Sequence, residues 1–285
     1  MQLTLGTAQL GMTYGLLNSK KINSQEQKKI NNLVFKSKIK YIDTASTYGD
    51  SEKIIGNSRL KTLNIITKIK IPKKNKDFNI QSWLRRKISF SLSNLKVRNI
   101  YGLLVHDYKD LLGRKGKIYL SCLQDLKKKK IIKNIGISIY NPKELNVIWK
   151  FWKPDIVQAP LNIFDTRIVD SGWLNVLKKN KIKIFIRSIF LQGLLINDLS
   201  HLQINKYFLN HSNKFKIWCK KKNISSLVAC INFVKSFKQI DNMIVGINNY
   251  AHLRKIIDVY KSKKNMHITK KFVTNNLNII DPRKW

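Results

Sequence analysis

The sequence predicts an α/β fold whose parallel strands close into a (β/α)8 barrel, and three observations carry that reading. Eight short runs rich in β-branched residues recur along the chain. Segments with apolar residues at helical spacing separate them. The step between runs is about 30 residues, the size of one strand-plus-helix unit, and eight such units fill roughly 250 residues, which suits a chain of 285. Length alone also permits two smaller domains. No linker, low-complexity tract or composition shift divides the chain, so residues 1–285 read as a single domain. An open doubly wound sheet is the rival architecture. Such a sheet normally carries a G-x-G-x-x-G turn after an early strand, whereas Gly6 and Gly11 are five positions apart in a different pattern.

Strands are expected at residues 3–5, 41–43, 64–68, 101–106, 134–138, 156–159, 183–188 and 243–246. Helices are expected at 24–38, with Ser24 as N-cap, and at 80–95, where Ile80, Leu84, Ile88, Leu92 and Leu95 share one face. Others follow at 116–130, 142–152, 172–180 and 250–261. Asn141 supplies a cap to the 142–152 helix, and Pro142 takes the first helical position, where a missing N–H forfeits no bond. The stretch 212–237 reads as two helices broken near Asn223. Residues 198–210 read as loop, and the tail after Lys270 shows no clear pattern.

Lys and Arg number 55 against 16 Asp and Glu, a formal net charge of +39. That balance raises nucleic acid or an anionic membrane as a partner. Only nine of the basic residues are Arg, the side chain that grips phosphates and base edges bidentately. The lysines are spread over the whole chain, and their densest run, Lys127 to Lys130, closes a predicted helix where cations suit the dipole. With 29 Asn alongside them, they read as compositional drift onto a solvated surface, without specific nucleic-acid recognition. A hydrophobic fraction of 43% excludes a disordered chain. No apolar run reaches the ~18 residues of a membrane span. The first residues lack the basic-then-apolar order of a secretory signal. Cys122, Cys219 and Cys230 form neither a C-x-x-C pair nor a ligand cluster, so no metal site is expected and a reducing, cytoplasmic setting is.

In a barrel the strand C-termini share one mouth, where chemistry is done. Strand two ends in Asp43, with Tyr48 five residues on; strand three ends in Lys68; strand four ends in His106. Charged groups closing apolar strands are costly unless they meet one another. An ammonium beside a phenol favours the phenolate, so Lys68, held by Asp43, is expected to lower the Tyr48 pKa. Tyr48 could then give a proton to a carbonyl oxygen as it becomes an alkoxide, with His106 hydrogen-bonding the same oxygen. The missing partner is a two-electron donor, for which a nicotinamide hydride is the natural complement.

These residues resemble those of the aldo-keto reductase family, from about Leu3 to Val259. Asp43-Thr44-Ala45, Tyr48-Gly49, Ser51-Glu52 and Gly56 are similar to its D-T-A-x-x-Y-G-x-S-E-x-x-x-G signature. Its opening strand is similar to the run from Leu5 to Gly11, its fifth strand end to Gly136-Ile137-Ser138, and its sixth to Gln158 with Asn162. The strand-seven loop resembles Ser188 to Leu195, and the strand-eight segment Ile244 to Asn249 with Ala251-His252-Leu253. The resemblance implies NADPH or NADH as cofactor and a carbonyl or sugar substrate. It implies Tyr48 as proton donor, Lys68 and Asp43 as its activating pair, and His106 as the substrate-orienting group. Ser138 and Gln158 match the holders of the nicotinamide carboxamide. Gly6, Thr7 and Ala8 on the opening strand, with Ser188, Gly193, Gly246, Asn248 and His252, match the remaining cofactor positions. Among family members the likeness is to bacterial ones found with sugar and cell-surface polysaccharide pathways.

Four departures are visible. Ile139 stands where many members have Asn. Arg187 stands where an aromatic ring often stacks on nicotinamide, and as a planar guanidinium that can also stack it is expected among the cofactor-binding residues. Gly246 and His252 stand where members preferring the 2′-phosphate carry Lys and Arg, with Arg254 and Lys255 nearby. The chain ends soon after Asp281, which predicts an open pocket without a long C-terminal loop. The other function classes are a nucleotide-binding barrel serving as a regulatory or assembly partner with little turnover, and a polyanion-binding protein. The oligomeric state is not legible. For the lysine-rich surface, we expect any retardation of DNA in a gel at ~50 mM salt to vanish by ~200 mM, as binding through counterion release requires.

Overall fold

Parallel strand pairing runs unbroken round the molecule, from β1 (Gln2–Gly6) through β2 (Tyr41–Asp43), β3 (Asn64–Ile69), β4 (Ile100–Val105), β5 (Ile132–Ser138), β6 (Ile156–Pro160) and β7 (Lys183–Arg187) to β8 (Asn242–Val245), which pairs back onto β1. The sheet is thus a closed (β/α)8 barrel, as the alternating pattern predicts. The computed structural model describes residues 1–15, 21–72, 79–199, 204–262 and 269–284. Among these no helix is long and apolar enough to cross a membrane.

A two-residue period places the functional side chains. Alternate strand residues face opposite sides of a sheet. Ile66, Leu104, Ile156, Phe185 and Ile244 form one buried cluster with Tyr41 and Tyr101 against it, separate from the larger core between strands and helices. That cluster fills the barrel interior. One inward step further toward the strand C-termini stand Asp43, Lys68, His106, Gln158, Arg187 and Gly246, and all six line one cleft. The apolar floor and the polar ledge above it are consecutive layers of the same strands. Burial of each large floor side chain contributes roughly 1.5–3 kcal/mol. Gly136 makes room for them, since a Cβ there would lie 2.4 Å from the Ile156 carbonyl oxygen and 2.5 Å from Leu104 Cδ2.

The helices follow the apolar periodicity. Ile80–Leu95 and Tyr250–Lys261 match their expected bounds, and the first buries Ile80, Leu84, Ile88 and Leu95. The first long helix, Ser24–Lys36, is capped by Asn23 rather than Ser24: Asn23 has extended backbone and its side chain accepts from the Glu26 N–H. The expected 116–130 helix begins earlier, at Gly113. Lys143–Ile148 is shorter than expected, with Asn141 Oδ1 accepting from the Lys143 N–H at 2.9 Å. Residues 212–237 do divide, into Lys206–Lys221 and Ser226–Lys235. The first of these starts inside the stretch read as loop, because Asn205 caps it by accepting from the Tyr207 and Phe208 N–H groups; residues 200–203 of that stretch lie outside the described residues. The tail carries a short helix, Leu277–Ile280, that buries Ile279 and Ile280.

Five helices end in the same double-bonded turn, with a non-glycine residue in the left-handed region. Lys38, Lys96, Lys130, Lys181 and Asn223 have φ between 51° and 58°. Each is followed by an apolar residue (Ile39, Val97, Ile131, Ile182, Ile224) whose N–H reaches back five residues to a helix carbonyl. Glycine usually fills the left-handed position of this motif. Lysine there bears steric strain, partly offset by a cation at the helix C-terminus. Replacing Lys96 by Gly is expected to raise the unfolding free energy by about 1 kcal/mol, and replacing it by Val to lower it, in urea denaturation.

Candidate active site

Lys68 is the single buried lysine among the described residues, 1% exposed. Its ammonium donates to both Asp43 carboxylate oxygens, at 2.7 and 2.8 Å, and to the Thr44 carbonyl oxygen at 2.8 Å. Asp43 also accepts from Gln158 Nε2 at 2.7 Å, and Ser138 donates to Gln158 Oε1 at 3.4 Å. One chain of polar contacts therefore links β2, β3, β5 and β6. Burial pulls the Lys68 pKa below the ordinary lysine range, and Asp43 opposes that shift.

The rest of the signature motif builds the seat for Tyr48. Ser51 donates to Thr7 and lies 3.0 Å from the Thr44 hydroxyl, while Thr7 donates to the Asp43 carbonyl oxygen. Glu52, buried between helix and sheet, accepts from Thr67 at 2.7 Å. Gly49 takes φ +52°, and a Cβ there would lie 2.6 Å from the Gly11 carbonyl oxygen. A Cβ on Gly11 would lie 2.0 Å from the Tyr48 carbonyl oxygen. The Tyr48 loop thus presses directly on the turn after β1.

The Lys68 ammonium lies 5.2 Å from the centroid of the Tyr48 ring. The expected lowering of the Tyr48 pKa is not found: burial pushes the phenol up, Asp43 adds to the rise, and Arg187 is the opposing cation. The reason is that Asp43 neutralises Lys68, so desolvation outweighs the ammonium. Tyr14, its ring 6.2 Å from that of Tyr48, is pushed up to about 12 by burial and then by Tyr48. His106 is held down to about 4 by burial and then by Lys68 and Arg187, and is therefore a neutral imidazole. Its Nδ1 is buried without a partner.

One cleft, partly open to solvent, brings together Asp43, Tyr48, Lys68 and His106. The same cleft is lined by all the expected cofactor-binding residues, Gly6, Thr7, Ala8, Ser138, Gln158, Arg187, Ser188, Gly193, Gly246, Asn248 and His252, but not by Asn162. Gln9, Ile189, Phe190, Gln192 and Ile244, which lie in the matched segments without an assigned role, also line it, as do Tyr14 and Tyr140, which lie outside those segments. For Tyr140 a signal existed, since it lies two residues past the Ser138 strand end. Tyr14 follows the first strand at a distance no motif marks.

The wall beyond β7 is a compact turn. Ser188, Leu191 and Gln192 have φ of 60°, 44° and 56°, and Gly193 has +90°. Three non-glycine residues in the left-handed region within one loop are uncommon, and such strain concentrates at functional sites. Further round, His252 Nδ1 accepts from the Asn248 N–H at 3.4 Å, leaving Nε2 buried without a partner. Burial lowers the His252 pKa, so this ring too is neutral. Gly246 leaves space at the wall: a Cβ there would touch only the Gln9 side chain, at 3.6 Å. Buried ring nitrogens awaiting partners and open backbone on the same wall fit a dinucleotide. Among the described residues no group of His, Cys, Asp or Glu could hold a metal ion.

Comparison with known proteins agrees with the fold. Among solved structures the fold is similar to the aldo-keto reductase AKR11C1 of Bacillus halodurans, with 16% identity over 92% of this chain and 87% of that one, and a TM-score of 0.73. It is also similar to the glycerol dehydrogenase AKR11B4 of Gluconobacter oxydans (19% identity, 95% and 88% covered, TM-score 0.69) and to PA4992 of Pseudomonas aeruginosa (19%, 90% and 88%, 0.67). Comparison with curated proteins by sequence gives no significant match. The profile of the aldo/keto reductase family matches residues 2–273. The chain therefore belongs to the aldo/keto reductase family of NAD(P)-dependent oxidoreductases.

Proposed function

We propose that this protein interconverts a carbonyl compound (an aldehyde, ketone or sugar) and its alcohol by hydride transfer with NADPH or NADH, with Tyr48 as the proton donor. The observation that carries the reading is the meeting of Tyr48, the buried Lys68–Asp43 pair and a neutral His106 in one cleft. When bound, the nicotinamide would supply the hydride. Gln158 and Ser138, already hydrogen-bonded to each other, would hold its carboxamide. Gly193, Gly246, Asn248 and His252 would hold the phosphate and ribose end.

The protein's own part is proton management. Tyr48 keeps its proton at neutral pH because burial disfavours the phenolate, and it gives that proton up only as negative charge grows on the substrate oxygen. The neutral His106 ring can donate to the same oxygen and so fix the carbonyl in the cleft. Three oxygens hold the Lys68 ammonium, and through the Asp43 carboxylate and the Thr44 carbonyl it fixes the strand end from which the Tyr48 loop departs. Three free thiols, two of them buried, suit a reducing compartment, which in this reading is the cytoplasm.

Tyr48→Phe is expected to lower kcat for aldehyde reduction by about 10²- to 10⁴-fold while leaving NADPH binding, read by tryptophan fluorescence, little changed; undiminished turnover would defeat the mechanism. A second outcome concerns His106. The unfolded chain binds a proton at this ring near 6.5, the folded chain only near 4. The unfolded state binds more protons in between, so the stability contributed by the neutral ring is complete above the upper value and is lost as pH falls through the window. His106→Asn is expected to flatten the fall in urea midpoint across that window relative to the parent protein. An NMR titration should show one imidazole unprotonated down to about pH 5.

A further inference from the structure

Three of the chain's nine arginines gather round one residue, Tyr140, in the loop after β5. Arg167 Nη2 donates to the Tyr140 carbonyl oxygen at 3.2 Å. The guanidinium carbons of Arg283 and Arg187 lie 3.9 and 4.3 Å from the centroid of its ring. Two of the three are neutralised by an aspartate two residues earlier. Asp165 accepts from Arg167 Nε and Nη2 at 2.8 and 2.7 Å, and Asp281 accepts from Arg283 Nε and Nη2 at 2.9 and 2.6 Å.

Arg187 is different. Its guanidinium donates to two neutral acceptors, Ser188 Oγ at 3.0 Å and the Ile139 carbonyl oxygen at 2.9 Å. Among the described residues no carboxylate forms an ion pair with it. It is also the one of the three that lines the cleft, where it is half-buried. A guanidinium cannot discharge itself by losing a proton, and a partly desolvated cation without a counter-ion is costly. The other charged groups on the cleft wall, Lys68 and Asp43, cancel each other. Arg187 therefore leaves the cleft with one uncompensated positive charge. That charge sits at the reacting end, because Ile139 directly follows Ser138, and the contacts of Ser138 lead through Gln158 to Asp43. Its fork has N–H donors beyond the two in use, and such a fork matches a carboxylate or phosphate.

We propose that Arg187 is the counter-charge for an anionic substrate: the carbonyl compound handled here carries a carboxylate or phosphate group, which the guanidinium binds while its carbonyl oxygen meets Tyr48. The Arg187 guanidinium packs on the Tyr140 ring, which the Arg283 guanidinium also packs against. This rests on the carbonyl-reduction reading above and narrows its substrate class.

The test is a set of matched substrates with the full chain and NADPH: succinic semialdehyde against butyraldehyde, and glyceraldehyde phosphate against glyceraldehyde. In the parent protein kcat/KM is expected to favour the anionic member of at least one pair by about tenfold or more, and Arg187→Gln to reduce that ratio by about tenfold, the size of a charge-assisted hydrogen bond. Arg187→Lys should recover part of the ratio, because a point charge keeps the attraction without the fork. The pair that responds tells carboxylate from phosphate. A ratio near one in the parent protein, or an unchanged ratio in the Gln variant, overturns the proposal and leaves carbonyl reduction standing. Tryptophan fluorescence titrations with benzoate and with NADPH give a reading free of turnover. Benzoate binding lost in Arg187→Gln with NADPH binding retained supports the proposal. Lost NADPH binding with benzoate unaffected overturns it, the guanidinium then serving the dinucleotide's phosphates. Benzoate binding through Arg187 without turnover of any carbonyl would sink the reduction reading and keep the anion site.

Discussion

The contact on which the rest depends is the ion pair between Lys68 and Asp43. Removing an ammonium and a carboxylate from water costs several kcal/mol for each ion even after relaxation. The protein meets that cost with directed partners: two carboxylate contacts and a carbonyl on the ammonium, and an amide on the carboxylate. Losing either member would leave the other charged and buried, so the pair constrains four strands at once. Its neighbours follow from it. Asp43 sets where Gln158 points, the Thr44 carbonyl fixes where the Tyr48 loop departs, and the Lys68 backbone carbonyl accepts from both the N–H and the hydroxyl of Ser46 in that loop.

The electrostatics run against the simplest reading of such a cluster. A lysine next to a tyrosine is commonly taken as a device for making phenolate. Here the lysine's charge is already matched, the phenol is buried, and the ring keeps its proton. The cation that acts on Tyr48 in the opposite sense is Arg187, at the end of β7.

Much of this was legible in the sequence because one rule, the two-residue period, governs both the apolar floor and the polar ledge. The residues that end the apolar runs are Asp43, Lys68 and His106, and Tyr48 stands in the loop five residues after the first of them. What escaped has no periodic mark. Left-handed backbone at Ser188, Leu191 and Gln192 is imposed by the loop's own packing, and none of the three is a residue type that announces it. The helix caps are half visible: Asn205 is a cap signal inside a stretch without apolar periodicity, and Asn23 competes with the serine beside it. Helix ends were blurred further because lysine, not glycine, occupies four of the five left-handed stops. The apolar residue after each stop was the better marker.

The layering has a consequence for how such a chain can change over generations. Within each strand, the position that faces the mouth and the position that faces the helices differ by one. Thr67, one place before Lys68, is tied to Glu52 on the outer side. Deleting a single codon inside β3 would exchange those two environments, aiming the ammonium at the helices and a hydroxyl into the mouth. Point substitutions on the ledge leave the floor intact, so chemistry can drift side chain by side chain. Changes of length must be confined to the loops, where new specificities can be grafted without disturbing what lies beneath.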